Sequence, residues 1–270
     1  MTLRLLCLVV LLSSSAASAI PAHSPWPGGI AVMRLYGAGK PLVAIDDKAA
    51  LMVRDEQGWT AIFGIPLEQE APGALIATVA MPDAEPYKVL IDVRENNYRE
   101  QRLNVDRKYV DPGQEQLERI FAERKVIDAA LSNVRDVEVA AIKLSAPVTG
   151  RRSSSFGLRR FFNDQPRSPH KGMDIAAVEG TPIMAPLAGK VAATGDFYFN
   201  GNTVILDHGQ GLISLYCHLS DISAEPGDEI SPGTIIGEVG ATGRVTGAHL
   251  HFATYMNGTA VDPALLLDDD

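Results

Sequence analysis

Four histidines and an aspartate in the C-terminal half of the chain have spacings that suit a metal-dependent reaction. Five of the six histidines lie between His170 and His251. His170 and Asp174 are four residues apart, and Gly172 between them favours a turn or the start of a strand over a helix. His249 and His251 lie two residues apart in the apolar stretch AHLHFATY. Because alternate residues of a strand point to the same side, both imidazoles can reach one pocket.

The remaining histidine of this group, His218, ends the strand-like run LYCH. The two-residue period predicts that Tyr216 and His218 lie on one face of the strand and Cys217 on the other. Imidazole and carboxylate groups suit zinc, and three protein ligands with an open position suit hydrolysis by an activated water. Each short motif is weak by itself, but their occurrence together in one β-rich region predicts a zinc-dependent hydrolytic site.

Short apolar runs between Gly and Pro turns must position these side chains. Residues 139–270 contain runs typical of strands, including TPIMAP, GKVAAT, NTVILDHG, LISLYCHLS, TIIGEVG and AHLHFATYM. Asn257-Gly258 is a strong hairpin signal, and no long helical pattern occurs in this part. We therefore predict a mostly antiparallel β domain over residues 139–270 that carries the chemistry.

The preceding residues predict a second β domain and a helical connection. Over residues 20–110, six or seven short β-rich runs recur about every ten residues, from IAVMRL to REQRLNV, which favours an immunoglobulin-like β-sandwich. Residues 111–138 predict a helical linker that starts with Asp111 as N-cap and Pro112 at the first helical position. Its apolar residues recur at helical spacing, with a possible break near Lys125. They are Leu117, Ile120, Phe121, Val126 and Ala130. We hypothesise that the linker folds the sandwich back so that it positions or gates the catalytic groove.

The first nineteen residues, 1–19, have the features of a cleavable signal peptide. Arg4 precedes the apolar run LLCLVVLL, and Ala17-Ser18-Ala19 provides small residues for cleavage. A retained N-terminal anchor is the alternative, although the run is short for a membrane span. Removal of the segment takes Cys7 with it and leaves Cys217 as a lone thiol, which we expect to be buried.

Composition excludes several classes of partner. With 46% hydrophobic and 21% charged residues the chain is that of a folded globular protein. A net charge of −9 argues against nucleic acid or an anionic membrane surface as the main partner. Six basic residues between Arg151 and Lys171 form a local exception. Arg159 is the best candidate there to bind a substrate carboxylate, and an ordinary solvated loop is the alternative.

Five motifs together resemble the lysostaphin/LytM-type zinc metallopeptidases, which cleave the peptide part of bacterial peptidoglycan. They are SSSFGLRR at residues 153–160, HKGMDI at 170–175, GNTVILDHGQG at 201–211, LYCHLS at 215–220 and TGAHLHF at 246–252. The resemblance implies a LytM-type peptidase domain and one zinc ion per chain. It implies His170, Asp174 and His251 as zinc ligands, and His218 and His249 as catalytic histidines whose individual steps stay open.

The resemblance also implies a substrate and a location. We expect hydrolysis of peptidoglycan cross-links or stem peptides by a monomeric, periplasmic or secreted protein without stable membrane insertion. Asn202 and Tyr216 flank the expected groove, where substrate binding and a core or turn role suit them equally. His208 and His23 are expected to have no part in the site. A secreted endopeptidase for glycine-rich bridges, a non-catalytic regulator on the same fold and a zinc-storage protein are the alternatives.

Overall fold

The computed structural model describes residues 20–37, 39–56, 58–82, 84–103, 113–139 and 142–268. The predicted signal peptide, Cys7 and the predicted helix start at Asp111 and Pro112 lie outside these residues. The mainly β fold is confirmed.

The first seven strands form two antiparallel sheets with a common core. The strands are β1 (Ile30–Tyr36), β2 (Leu42–Ile45), β3 (Lys48–Ala49), β4 (Leu51–Asp55), β5 (Gly58–Gly64), β6 (Gly73–Ala80) and β7 (Tyr87–Val93). One sheet has the order β1-β5-β4 and the other β3-β2-β6-β7. Side chains from both sheets, such as Ala61, Phe63, Ala77 and Val79, form one buried cluster. This arrangement is the predicted β-sandwich.

The sheet β1-β5-β4 is buried on both faces. Ala61 and Phe63 of β5 point into the sandwich, whereas Ile62 between them is fully buried in a second cluster that it shares with the C-terminal half. Leu51 and Val53 of β4 join the same second cluster. The alternation of a strand thus supplies apolar groups to two cores, and this middle sheet joins the halves of the protein.

The C-terminal half is built on a large antiparallel sheet. Its strands are β9 (Arg151–Ser154), β12 (Met173–Ala176), β13 (Pro182–Met184), β14 (Gly189–Phe197), β15 (Gly201–Gly209), β16 (Leu212–Ile222), β17 (Glu229–Ile230), β18 (Ile235–Val239), β19 (Leu250–Met256) and β20 (Thr259–Val261). The main path is β17-β14-β15-β16-β19-β12-β9, and a 3₁₀ helix, Pro263–Leu265, follows β20. The predicted antiparallel β domain is therefore present.

One predicted sandwich strand lies elsewhere. The run REQRLNV contributes β8 (Glu100–Leu103), which pairs in parallel with β10 (Arg159–Phe162), and β10 pairs with β11 (Gln165–Pro166). The seventh sandwich strand is instead the short β3. Periodicity identified the run as a strand but carried no information about which sheet it joins.

The helix α1 spans Gln114–Leu131 without a break at Lys125. The predicted apolar face is wrong for its larger residues, since Phe121 is 59% and Val126 is 49% exposed. Only the C-terminal end, at Ala130 and Leu131, is buried against β15 and β16. Among the described residues no helix is long and apolar enough to cross a membrane.

Polar contacts reinforce the junction of the two halves. The buried amide of Gln210 accepts a hydrogen bond from the backbone N–H of Met52 at 3.0 Å and donates to its carbonyl at 3.1 Å. Asn257 Nδ2 donates to the Ala49 carbonyl at 2.6 Å. Because β4 is the edge of its sheet, Gln210 satisfies backbone groups that would otherwise be buried without partners.

Candidate metal centre

Two neighbouring strands and the turn before one of them bring His170, Asp174 and His251 together. Asp174 on β12 lies directly opposite His251 on β19 in the antiparallel register. His170 lies four residues before Asp174, where its backbone N–H donates to the Leu158 carbonyl and its carbonyl accepts from the Gly157 N–H. The turn expected at Gly172 thus brings the His170 and Asp174 side chains together, as one turn of a helix would.

The three side chains direct one atom each to a common point. His170 Nε2 is 3.0 Å from Asp174 Oδ1, His251 Nδ1 is 2.9 Å from the same oxygen, and the two nitrogens are 3.0 Å apart. His170 Nδ1 lies 3.0 Å from the Ser155 carbonyl, which can only accept, so its proton sits there and Nε2 is left as an acceptor. One proton cannot satisfy three converging acceptors, whereas a divalent cation can.

Zinc fits this donor set. Tetrahedral zinc with ligand bonds of about 2.0–2.1 Å places neighbouring ligand atoms roughly 3.3 Å apart. This is close to the separations in the triangle formed by His170 Nε2, Asp174 Oδ1 and His251 Nδ1, which we call the metal triangle. Among the described residues this is the one group of His, Cys, Asp and Glu side chains with such convergence. Burial alone would raise the pKa of Asp174, but the adjacent His170 and His251 imidazoles outweigh it and hold the pKa below its usual range. The carboxylate is therefore available as an anionic ligand.

Gly172 is required by the closeness of the ligand strands. A Cβ on this residue would lie 2.6 Å from the Phe252 carbonyl oxygen and 2.7 Å from His251 Cε1. Since any side chain here would displace a ligand ring, the glycine of HKGMD has a steric function at the centre.

His218 faces the same point from the C-terminal half of β16. Its backbone has φ of 70°, and its N–H donates to the Asn200 carbonyl at 2.8 Å. Its Nδ1 donates to the Thr242 carbonyl at 3.0 Å, which leaves Nε2 as an acceptor. Burial, with the nearby imidazoles of His251 and His249, lowers the pKa of His218 to about 4. The ring is therefore neutral at pH 7 and able to take a proton.

His249 completes the group from the loop before β19. Its Nδ1 donates to the Gly247 carbonyl at 2.9 Å, and its Nε2 is 3.9 Å from Asp174 Oδ1. The rings of His218 and His249 are 4.9 Å apart between centroids. Both rings thus contact a backbone carbonyl through Nδ1 and leave Nε2 beside the metal triangle.

The left-handed backbone at His218 corrects one prediction. The positive φ interrupts the alternation, so Tyr216 does not share a face with His218. Tyr216 is fully buried on the other side of the sheet against Phe252, and its hydroxyl is 2.8 Å from Ser214 Oγ. It is not exposed to substrate. A non-glycine residue at positive φ leaves no pattern in the sequence by which it could have been recognised.

The basic residue beside the centre is Arg160 and not Arg159. Arg160 Nη2 lies 3.9 Å from Asp174 Oδ2 and 3.5 Å from Ser154 Oγ. Arg159, its neighbour on β10, lines a cavity between the two halves of the protein together with Glu68 and Tyr98. The alternation of β10 would have allowed either arginine to face the centre, and the sequence does not fix which one does.

Three other predicted residues have identifiable surroundings. The backbone N–H of Asn202 donates to Thr242 Oγ1 at 2.9 Å, so Asn202 supports the loop that holds His218. His208 is buried, with Nδ1 at 2.8 Å from the Ala188 carbonyl and Nε2 at 2.7 Å from Ser214 Oγ, as expected for a structural histidine. Cys217 is buried as expected, and burial raises the pKa of its thiol.

Two histidines and a carboxylate that converge on one point, with two further histidines beside them, are typical of metal-dependent hydrolases. Residues 168–263 match the model of peptidase family M23, and residues 23–90 match that of the peptidase family M23 N-terminal domain. The crystal structure of a peptidase M23 from Pseudomonas aeruginosa superposes with a TM-score of 0.75 at 37% sequence identity, covering 90% of this chain and 95% of that one. The chain belongs to peptidase family M23, which confirms the resemblance that its motifs indicate.

Named relatives match the C-terminal half. The DD-carboxypeptidase/endopeptidase Mpg of Neisseria meningitidis is 38% identical over 126 residues, which are 47% of this chain and 29% of Mpg. The peptidoglycan DD-endopeptidase ShyA of Vibrio cholerae is 40% identical over 113 residues, which are 42% of this chain and 26% of ShyA. The chain thus spans less than a third of the length of these relatives.

Proposed function

We propose that this protein is a zinc-dependent endopeptidase that hydrolyses peptide cross-links of bacterial peptidoglycan. The observation that carries the proposal is the triangle of His170, Asp174 and His251 with the imidazoles of His218 and His249 beside it. Mpg and ShyA, which are similar to the C-terminal half, are both named for action on DD-bonds. Their names favour a cross-link between D-amino acids over the glycine-rich bridge.

The proposed roles of the side chains follow from their protonation. Zinc, when bound, polarises water and the scissile carbonyl. His218 and His249 each present Nε2 as a proton acceptor, held in orientation by the Thr242 and Gly247 carbonyls. One of them takes the proton of the attacking water, and the same protonated ring, or its partner, gives a proton to the leaving amine. A protonated ring beside the centre also stabilises the tetrahedral oxyanion.

The presence of every expected zinc-binding and catalytic residue disfavours a non-catalytic regulator. All five side chains are present and face one point. A zinc-storage role is disfavoured as well, because a storage site is closed by a fourth protein ligand. Among the described residues only three potential metal ligands converge, namely His170, Asp174 and His251.

The test uses purified cross-linked muropeptide dimers with the mature protein in three states: zinc-loaded, chelator-treated and reconstituted with zinc. We expect release of monomeric muropeptides in the first and third states only, as measured by chromatography and mass spectrometry. A pentaglycine-bridged substrate serves as the comparison and should be cut much more slowly. Inactivity of the zinc-loaded protein on both wall chemistries would refute the enzyme proposal.

We propose further that residues 20–110, 111–138 and 139–270 are the sandwich, linker and peptidase domains of an extracytoplasmic monomer. The sandwich would position the peptidase domain, because the middle sheet contributes Ile30, Leu51 and Ile62 to the peptidase core. A fragment that starts near Ala140 should therefore lose stability and activity. A fragment with the activity and zinc affinity of the mature protein would contradict this role.

A further inference from the structure

We propose that a groove beneath α1 binds one peptide strand of the cross-linked substrate on one side of the metal centre. This inference rests on the proposed function and adds a binding surface that includes the linker helix. The groove has a volume of about 600 Å³ and is walled by α1 on one side and by the loop that carries Ser168 and Lys171 on the other. Cavities of this size are typical of ligand sites.

The groove begins beside the catalytic residues. Its near wall includes Phe199 and Asn200, and the Asn200 carbonyl accepts the hydrogen bond from the His218 N–H. Lys171, which lines it as well, directly follows the ligand His170. One end of the groove therefore lies next to residues that adjoin His218 and His170.

The groove continues along β19 for the length of a short peptide. Its floor includes Tyr255, which lies on the same face of β19 as His251 and four residues further on. At about 3.3 Å per strand residue this separation is roughly 13 Å. An extended peptide covers such a distance with about four residues.

The position of α1 explains why the space stays open. At its C-terminal end, Ala130 and Leu131 pack on the sheet. Nearer its N-terminal end, Arg119 Nη2 donates to the Asp196 carbonyl at 2.9 Å, and Glu123 Oε2 accepts from the Tyr198 N–H at 2.8 Å. The helix is thus attached near its middle and at its C-terminal end, and it forms one wall of the groove along that half.

The lining suits a peptide with small apolar side chains and charged groups. Ile120, Phe197 and Phe199 provide apolar surface, whereas Glu123, Arg124 and Lys171 provide charges of both signs. The apolar side chains can cover methyl groups. Lys171, Arg124 and Glu123 pair with Glu68, Asp128 and Arg119, so a charged ligand would share or exchange these partners.

The experiment compares two tryptophan substitutions at neighbouring positions of α1. Ile120→Trp places the larger ring in the groove, whereas Phe121→Trp is a matched control because Phe121 is exposed and does not line it. Equilibrium binding of an uncleaved stem tetrapeptide and of the muropeptide dimer is measured by calorimetry, and KM and kcat are measured where cleavage occurs. The melting temperature and zinc affinity of each variant are recorded, together with turnover of a short substrate that ends at the scissile bond on the α1 side.

We expect Ile120→Trp to weaken binding of both long ligands by about tenfold, and Phe121→Trp to leave it unchanged. Turnover of the short substrate, zinc affinity and melting temperature should be retained in both variants. Equal effects of the two variants, or a loss for the short substrate as large as for the dimer, would overturn the groove proposal while leaving the proposed function in place. Absence of any binding of the peptides to the wild-type protein would overturn it as well. Binding without cleavage would instead refute only the proposed function.

Discussion

Substitution of Gly172 by alanine should release the metal without unfolding the protein. The backbone of Gly172 is not in the left-handed region, so alanine meets no conformational penalty there. Its Cβ would instead lie 2.7 Å from His251 Cε1 and 2.8 Å from His251 Nε2. It would also lie 2.6 Å from the Phe252 carbonyl oxygen, so the substitution pushes on the ligand ring and on the β19 backbone beside it.

The size of the effect follows from these distances. Ordinary contacts of a Cβ begin at 3.4 Å, so the His251 ring must move away by 3.4 − 2.7 = 0.7 Å and the Phe252 carbonyl by 3.4 − 2.6 = 0.8 Å, or the Gly172 backbone must shift by a similar distance. Metal sites tolerate ligand displacements of about 0.2 Å. If the backbone moves instead, it carries His170 and Asp174, which lie two residues away on either side. Since changes around a ligand shell commonly cost 10–100-fold in affinity, we expect zinc to bind about 100-fold more weakly.

The assay is competition with a chromophoric zinc chelator, with the melting temperature measured in parallel. Gly247→Ala is the control, because a Cβ there meets nothing within 4 Å although Gly247 lies two residues before His249. This control should bind zinc like the wild-type protein. Wild-type affinity of Gly172→Ala would show that the ligand ring is not constrained as the distances require.

Three further outcomes are expected. His218→Ala should abolish turnover of cross-linked muropeptide and retain zinc, whereas His170→Ala should lose both; equal zinc loss in the two variants would contradict the division of roles. Burial lowers the pKa of His208 to about 4, so the unfolded chain takes up a proton at higher pH than the folded one. The stability due to neutral His208 is complete above about pH 6.5, and about 3 kcal/mol of it is lost as the pH falls towards 4. The difference in unfolding free energy between the wild-type protein and His208→Gln should shrink over that window; a constant difference would refute the assignment. Gln210→Ala leaves the buried N–H and C=O of Met52 without partners and should destabilise the protein by about 2–6 kcal/mol in denaturant titrations, whereas a loss below about 0.5 kcal/mol would mean that water replaces the amide.

The sequence indicated a metal site because two of its residues, Asp174 and His251, lie on paired regular strands and His249 directly precedes one of them. The pairing of Asp174 with His251 follows from adjacent strands in register, and the face shared by His249 and His251 follows from the two-residue period. The prediction that Tyr216 and His218 share a face was wrong because the backbone departs from that period. The φ of 70° at His218 separates it from Tyr216, and no local sequence feature announces such a conformation.

The errors in the predicted fold have a different cause: they concern which elements of the structure pack against each other. The strand β8 has an ordinary β sequence, yet it pairs with β10 of the other half. The helix α1 occurs where it was expected, but Phe121 and Val126 face outward because its apolar contact with the sheet is made by Ala130 and Leu131 at its C-terminal end. Propensity and period report local conformation, whereas the partner of an element depends on contacts between distant parts of the chain.

The middle sheet β1-β5-β4 makes the protein a three-layered body in which one layer belongs to two cores. A substitution at Ile62 acts on the peptidase core, and one at Phe63 acts on the sandwich core, although the two residues are adjacent. Loss of the sheet would expose the surface around Met256 and Val261 that Ile30, Leu51 and Ile62 now cover. At about 1.5–3 kcal/mol for each of these three side chains, that is a large part of the stability of an ordinary domain. The two halves should therefore unfold in one thermal transition. The sandwich is then a part of the peptidase core and not an independently folded attachment to it.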